Sequence, residues 1–329
     1  MTSFVKKIVV FLLGLLLIFG VLSYLYSFRV GSRDNFYALV DRFDDPSIQP
    51  KVLVLGDSRP TFGIRQEFLP SDIYNFSFPS ETYREMFLKV EYALQKKPSI
   101  KYIAIPIDYH MLSAFYARDK DAGHMYRIAS LQNIRAVYGF SWVEFCKSFF
   151  HAYVPLTDSE NRFFFITVIK KDLRALFTRQ QNPRSISVTP YGDLAPLEHK
   201  RWGDFSDEAK YALTSRRIED HLLSGSLVER EMVDALDKLL YLAQARGVQV
   251  IAVRYPLTTA YENRARKLAL AEVEHAFDEH AHRFLLVLNY VVSFESHEDD
   301  LFQDADHLNT TGAEVFTNMF VRDLHTMLK

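Results

Sequence analysis

The polarity pattern opens on a long uncharged run, Ile8 to Phe28, preceded by Lys6 and Lys7. Gly14, Gly20, Ser23, Tyr24, Tyr26 and Ser27 are its only interruptions. At about 1.5 Å per helical residue it is long enough for a bilayer core of roughly 30 Å. A cleaved signal peptide and a buried core helix are the competing readings. The run exceeds the roughly 7–15 apolar residues of a signal peptide and no clean A-x-A site follows it. An uncleaved anchor over residues 1–30 is therefore expected, with residues 31–329 as the working domain. The positive-inside rule keeps Lys6 and Lys7 in the cytoplasm and exports that domain, although Arg29, Arg33 and Lys51 weaken the asymmetry. In a bacterium this means a single-pass protein of the inner membrane whose domain faces the periplasm.

After Lys51 the pattern changes to short apolar runs alternating with amphipathic stretches. Val52–Leu55, Ile73–Phe76, Tyr102–Ile107, Val248–Val253 and Phe284–Leu288 read as buried strands. Between Ser80 and Lys97, apolar residues at 83, 86, 87, 90, 93 and 94 have helical spacing. Thr82 and Glu85 can form a capping box ahead of that helix, and Pro98 ends it. Leu227–Arg246 and Tyr261–His282 read as two further helices, with Gly247 at a C-cap position. Strands alternating with helices predict an α/β fold with a parallel sheet and a site at the carboxyl ends of its strands. Residues 109–225 break the beat and are rich in aromatics, including Trp142, Phe149, Phe150, Phe163–Phe165, Tyr191 and Trp202. They are expected to form a helical insertion over the site rather than a second domain.

Composition narrows the partners. The 329 residues are 48% hydrophobic and 24% charged, a globular balance, and the net charge is only −2 with Lys and Arg scattered. No nucleic-acid footprint is present. A single cysteine, Cys146, cannot close an internal disulfide, so an exported domain depends on its core.

The candidate chemistry sits at two places far apart in the chain. Gly56-Asp57-Ser58 follows the first strand, where a tight turn into a helix exposes the serine hydroxyl, although the triplet is also ordinary turn chemistry. Near the other end, His307 can take the Ser58 proton, and a carboxylate can orient its ring. Asp304 is the expected partner and Asp306 the rival. Arg59, directly after the serine, and Arg254-Tyr255, ending the fourth long strand, either face the site and bind an anionic sugar or acyl carbonyl, or are structural. His280, His282 and His297 have no zinc-type spacing, so neither a metal nor another cofactor is expected.

A serine after the first strand and Asp304-x-x-His307-Leu308-Asn309 leading through Gly312 into a last helix resemble the SGNH, or GDSL-like, hydrolase superfamily over roughly residues 50–329. With the anchor, the chain looks most like the membrane-anchored branch that modifies cell-surface polymers: the O-acetylation proteins of alginate and related exopolysaccharides, and the teichoic-acid D-alanylation protein. The resemblance implies a three-layer, flavodoxin-like fold and an acyl–serine intermediate on Ser58 with backbone amides holding the oxyanion. Ser58 would give one amide. In the family's second block Asn75-Phe76-Ser77-Phe78-Pro79-Ser80 puts Ser80 nearest the usual glycine, as the second amide. In the third block Asp108 stands where the family has an asparagine; ionised, it would repel an oxyanion. Asp108 therefore joins Arg59, Arg254 and Tyr255 among the expected substrate contacts. The resemblance implies a serine acyltransferase, O-acetylating an exported polysaccharide with an acyl group from a multi-pass membrane acyltransferase. An esterase acting on such a polymer and a non-catalytic polymer-binding or assembly protein are the alternatives.

Overall fold

The computed structural model describes residues 2–29, 35–118, 122–153, 186–188, 194–196 and 201–328. The chain forms two compact units, residues 1–37 with 121–184 and residues 38–120 with 185–329. Of the aromatic stretch 109–225, residues 121–184 lie in the first unit and the rest in the second. Phe163–Phe165 and Tyr191 fall outside the described residues.

In the first unit the apolar run forms one helix, α1 (Thr2–Arg29), whose segment Phe4–Leu22 is long and apolar enough to cross a membrane and is not buried against protein. The helix α2 (Asn35–Asp44) starts here and continues into the second unit. It buries Phe36, Leu39, Val40 and Phe43, an i, i+3, i+4, i+7 stripe that forms one helical face.

The second unit is built on a five-stranded, wholly parallel sheet. Its first three strands, β1 (Val52–Val54), β2 (Ile73–Asn75) and β3 (Tyr102–Pro106), are separated by α3 (Ser58–Gly63) and α4 (Tyr83–Lys96). A short helix α5 (Ala114–Arg118) follows β3. In the first unit come α6 (Leu131–Tyr138) and α7 (Trp142–Tyr153). The antiparallel pair β4 (Ile186–Val188) and β5 (Leu194–Pro196) precedes α8 (Asp207–Ile218) and α9 (Arg230–Ala245). The sheet is completed by β6 (Gln249–Arg254), α10 (Thr259–Asp278) and β7 (Phe284–Asn289), and α11 (Thr310–Met327) closes the chain.

The strand order is β2-β1-β3-β6-β7, which is the flavodoxin-like doubly wound order. Val54 pairs with Asn75 on one side and Ala104 on the other, and β1 is buried throughout. The crossover through α3 steps one way along the sheet and the crossover through α4 steps back, so right-handed connections place their helices on opposite faces. In agreement, α4 packs beside α9 and α11 beside α3. The reversal lies between β1 and β3, and a crevice for a ligand is expected at their carboxyl ends. The residues that follow those two strands are Ser58 and Asp108.

The expected strands and the three expected helices after residue 80 formed, with boundaries shifted by one to four residues, but β7, expected to be buried, lies at the sheet edge and leaves Leu285 and Val287 exposed. The α4 capping box is present, with the Thr82 amide donating to Glu85 Oε2 at 2.8 Å. Gly247 has φ +68°, the left-handed conformation of a helix C-cap.

The last helix shows how tightly the C-terminal chemistry is held. Asn309 caps α11, its Oδ1 accepting from the Gly312 amide at 3.0 Å. A Cβ on Gly312 would stand 2.1 Å from the Leu301 carbonyl oxygen. Gly312→Ala should destabilise the protein by about 1–3 kcal/mol, as forced overpacking does. Thermal unfolding of the variant alongside wild type measures this, and an unchanged midpoint would mean the 301–309 loop gives way freely.

Candidate active site

Ser58 is delivered by a turn that only glycine can make. Gly56 has φ +142°, and a Cβ there would meet Pro60 Cγ at 2.6 Å. Asp57 then caps α3, its Oδ1 accepting from the Arg59 amide at 3.1 Å, and Ser58 begins the helix half-buried. His307 comes from a loop pinned on several sides. Gln303 N donates to the His307 carbonyl at 3.0 Å, Thr258 Oγ1 donates to the Ala305 carbonyl at 2.7 Å, and Asn309 N donates to the Leu301 carbonyl at 2.9 Å.

These two elements, 249 residues apart in sequence, bring Ser58 Oγ within 2.7 Å of His307 Nε2. The other ring nitrogen, Nδ1, lies 2.9 Å from Asp304 Oδ2 and 3.0 Å from Oδ1. Asp304 Oδ1 is itself fixed by the amides of His307 at 2.9 Å and Asp306 at 3.1 Å. Between the two expected carboxylates, Asp304 makes the hydrogen bond, while Asp306 Oδ1 is 3.6 Å from Nδ1. Burial alone would pull the His307 imidazolium down, but the Asp304 and Asp306 charges outweigh it and hold its pKa above the usual histidine range.

Ser80, expected to supply the second amide, has an unusual backbone conformation. Its φ is +65°, the left-handed region that favours glycine, and it has this conformation uniquely among the described non-glycine residues. The loop before it extends the sheet pairing, with the amides of Phe76 and Phe78 donating to the Val54 and Gly56 carbonyls at 2.8 and 2.9 Å. Ser58 and Ser80 thus each lie two residues beyond the Gly56–Phe78 pair. Among the described residues, neither of their amides has a hydrogen-bond acceptor within the protein. Glu81, the next residue, is fully buried against Lys89, and burial pushes its carboxyl up to about 8.

Four expected substrate contacts sit elsewhere. Arg59 is buried, 3.1 Å from Asp108 Oδ2 and 3.3 Å from Asp306 Oδ2, and lies over the Tyr261 ring. Asp108 is buried beneath the site, and its Oδ1 accepts from the Tyr255 amide at 3.1 Å; Tyr255 is buried too. Arg254 pairs with Glu274 at 2.9 Å. Each of these charges has a partner in the protein: Arg59 links Asp108 to Asp306 beside the triad, and Arg254 is held by Glu274. The concern that Asp108 would repel an oxyanion loses its force, since Arg59 neutralises it.

Three residues that sequence reasoning did not single out complete the surroundings. Arg217 on α8 donates from Nε to Asp306 Oδ1 at 2.8 Å and places Nη2 3.3 and 3.2 Å from the two ring nitrogens of His307. His110, whose pKa is lowered by burial and by the Arg59 charge, hydrogen-bonds through Nε2 to Asp57 Oδ2 at 2.8 Å, and Tyr116 donates to the same oxygen. His221 stacks on His110 with ring centroids 4.5 Å apart. No motif flags them; His110 alone had a signal, a polar residue just past a buried strand end. Asp304, Asp306 and His307 are close enough to share a cation, but both Asp306 oxygens already face guanidinium groups.

No family model and no curated protein sequence matches the chain. Among solved structures it is similar to a proposed acylhydrolase from Bacteroides fragilis NCTC 9343, with a TM-score of 0.38 and 9% identity over 87% of this chain and 94% of that one. It is similar at the same TM-score to a chain from Streptococcus pneumonia described as a candidate platelet activating factor, with 10% identity over 90% and 94%. Likeness at this level does not bear on chemistry, which rests on the side chains described above.

Proposed function

We propose that the protein is an SGNH-type serine acyltransferase that works through an acyl ester on Ser58, with Asp304 and His307 as its partners. The observation that carries this reading is the continuous hydrogen-bonded line Ser58 Oγ, His307 Nε2, His307 Nδ1, Asp304. Ser58 Oγ gives its proton to Nε2 as it attacks the carbonyl carbon of an ester donor. The free amides of Ser58 and Ser80 hold the oxyanion, and the departing alcohol takes the proton from Nε2. An acceptor hydroxyl then yields its proton to Nε2, attacks the acyl–serine and releases Ser58, which recovers that proton.

The acceptor is a hydroxyl of an exported, cell-surface polysaccharide, the acyl group is acetyl, and the donor is a multi-pass membrane acyltransferase. Membrane attachment through α1 supports this, because tethering both active sites to one surface raises their effective concentration. Hydrolysis is the second reading, since Ser58 is only half-buried and water can reach an acyl group on it. Mass spectrometry after incubation with an activated acetyl ester, with and without a glycan acceptor, tests both. An adduct on Ser58 that moves to the glycan supports transfer, one lost only to water supports an esterase, and no adduct leaves a polymer-binding scaffold.

The roles of the two carboxylates separate in one comparison. Asp304→Asn should lower turnover about 10⁴-fold, the order of loss when the triad carboxylate is neutralised. It should also move the acid limb of the pH profile to lower pH, because Asp304 raises the His307 pKa. A larger loss in Asp306→Asn, with Asp304→Asn near wild type, would reverse the assignment.

A further inference from the structure

Helix α7 has two apolar faces, and among the described residues protein covers one. At 100° per residue Phe145 and Phe149 share a face, and it is packed: Tyr126 stands 6.5 Å from the first ring and 5.7 Å from the second and donates its hydroxyl to Ser148 Oγ at 3.0 Å. Beside that face, Trp142, Cys146, Phe150 and Val143 form a stripe about 100° wide. Trp142, Val143 and Phe150 are 64%, 79% and 59% exposed, and Cys146 is exposed as well. Glu144 lies on the far side of the helix. Contiguous exposed aromatics of this kind mark a surface that meets something.

The chain itself indicates what that is. Arg29 at the end of α1 and Phe36 are seven residues apart, a reach of at most about 25 Å. Phe36 packs on His124 with ring centroids 4.8 Å apart, and Arg127 lies 4.5 Å over the Tyr37 ring. His124, Tyr126 and Arg127 belong to one short turn, and Tyr126 is the residue that holds α7. A packed path therefore joins Phe36 to α7 within one unit, and chain length alone keeps Phe36 within about 25 Å of the end of α1, so a membrane crossed by α1 lies within a short reach of the stripe.

We propose that α7 lies on the membrane that α1 crosses, with Trp142, Val143, Cys146 and Phe150 at the boundary between headgroups and acyl chains. The inference rests on reading α1 as a membrane span. Lipid fits better than a protein groove because cations border the stripe: Lys147 follows Cys146, and Arg135 sits 4.3 Å over the Trp142 ring, both placed to reach phosphates. The consequence is a catalytic chain attached to the membrane at two points rather than one.

Cys146 is the sole cysteine, so the unaltered full-length chain takes one nitroxide on the stripe itself. The labelled protein is reconstituted into phosphatidylcholine–phosphatidylglycerol vesicles, and collisions with dissolved oxygen are compared with collisions with a water-soluble nickel chelate. Oxygen should dominate at Cys146, and nickel at a label on Glu144→Cys in a Cys146→Ser background. Nickel dominance at both positions overturns the proposal, and a stripe reserved for a protein partner would give that same result in pure lipid. Alkaline carbonate washing of the vesicles tests α1 separately: protein that washes off refutes the span, whereas protein that stays while Cys146 remains nickel-accessible refutes only the placement of α7.

Discussion

Ser58→Ala should abolish covalent labelling by an activated ester or a fluorophosphonate and lower turnover by on the order of 10⁴- to 10⁶-fold. The size follows from the geometry. Without Oγ there is no acyl–serine, and His307 is left to activate water against a carbonyl that nothing has attacked. Folding should survive, because Ser58 is half-buried and, among the described residues, its side chain makes one hydrogen bond, to His307, worth about 0.5–1.5 kcal/mol. Wild-type turnover in Ser58→Ala with a normal unfolding curve would remove the serine from the mechanism. His307→Ala should lose activity to a similar extent. The intact protein should gain activity as pH rises past the usual histidine range, since His307 must be neutral to act and its pKa is raised.

The sequence was most legible where burial follows a period. The strands at 52, 73, 102 and 249 are apolar runs because parallel strands covered on both faces admit few polar residues, whereas the apolar run at 284 is an edge strand that leaves Leu285 and Val287 exposed. Ser58, Asp304 and His307 were readable because a strand-end turn and a short Asp-x-x-His leave marks in the local sequence. The buried charges were not. Helix α4 was read from its apolar positions, yet it also buries Arg84, Glu85 and Lys89, while Phe87 and Leu94 are only half-buried. A polar residue at a buried position looks, in sequence, like one facing water. What makes it tolerable is a partner outside its own element, in the loop before the helix, as Glu81 for Lys89, or far away in the chain, as Asp306 for Arg59, and no period records such a pairing. The same reason hid Arg217, which comes from a helix ninety residues before His307.

Arg59→Met should be the most damaging substitution for stability. Arg59 stands between Asp108, which follows β3, and Asp306 in the loop that carries His307, and all three are almost fully buried. Replacing the guanidinium with an apolar chain of similar length fills the space but leaves Asp108 without its countercharge and Asp306 with Arg217 alone. Stranding a buried charge costs about 3–5 kcal/mol, much more than an exposed pair contributes. For a chain of this size that corresponds to a fall of roughly 5–15 °C in the unfolding midpoint of the detergent-solubilised protein. The damage should come from the orphaned carboxylates and not from lost packing, so adding Asp108→Asn to Arg59→Met should restore part of the midpoint, since an amide oxygen can still accept from the Tyr255 amide. No recovery in the double variant would mean that Arg59 acts through its contact with the Tyr261 ring instead, and a midpoint unchanged in Arg59→Met itself would show that the loop bearing His307 is held without this brace.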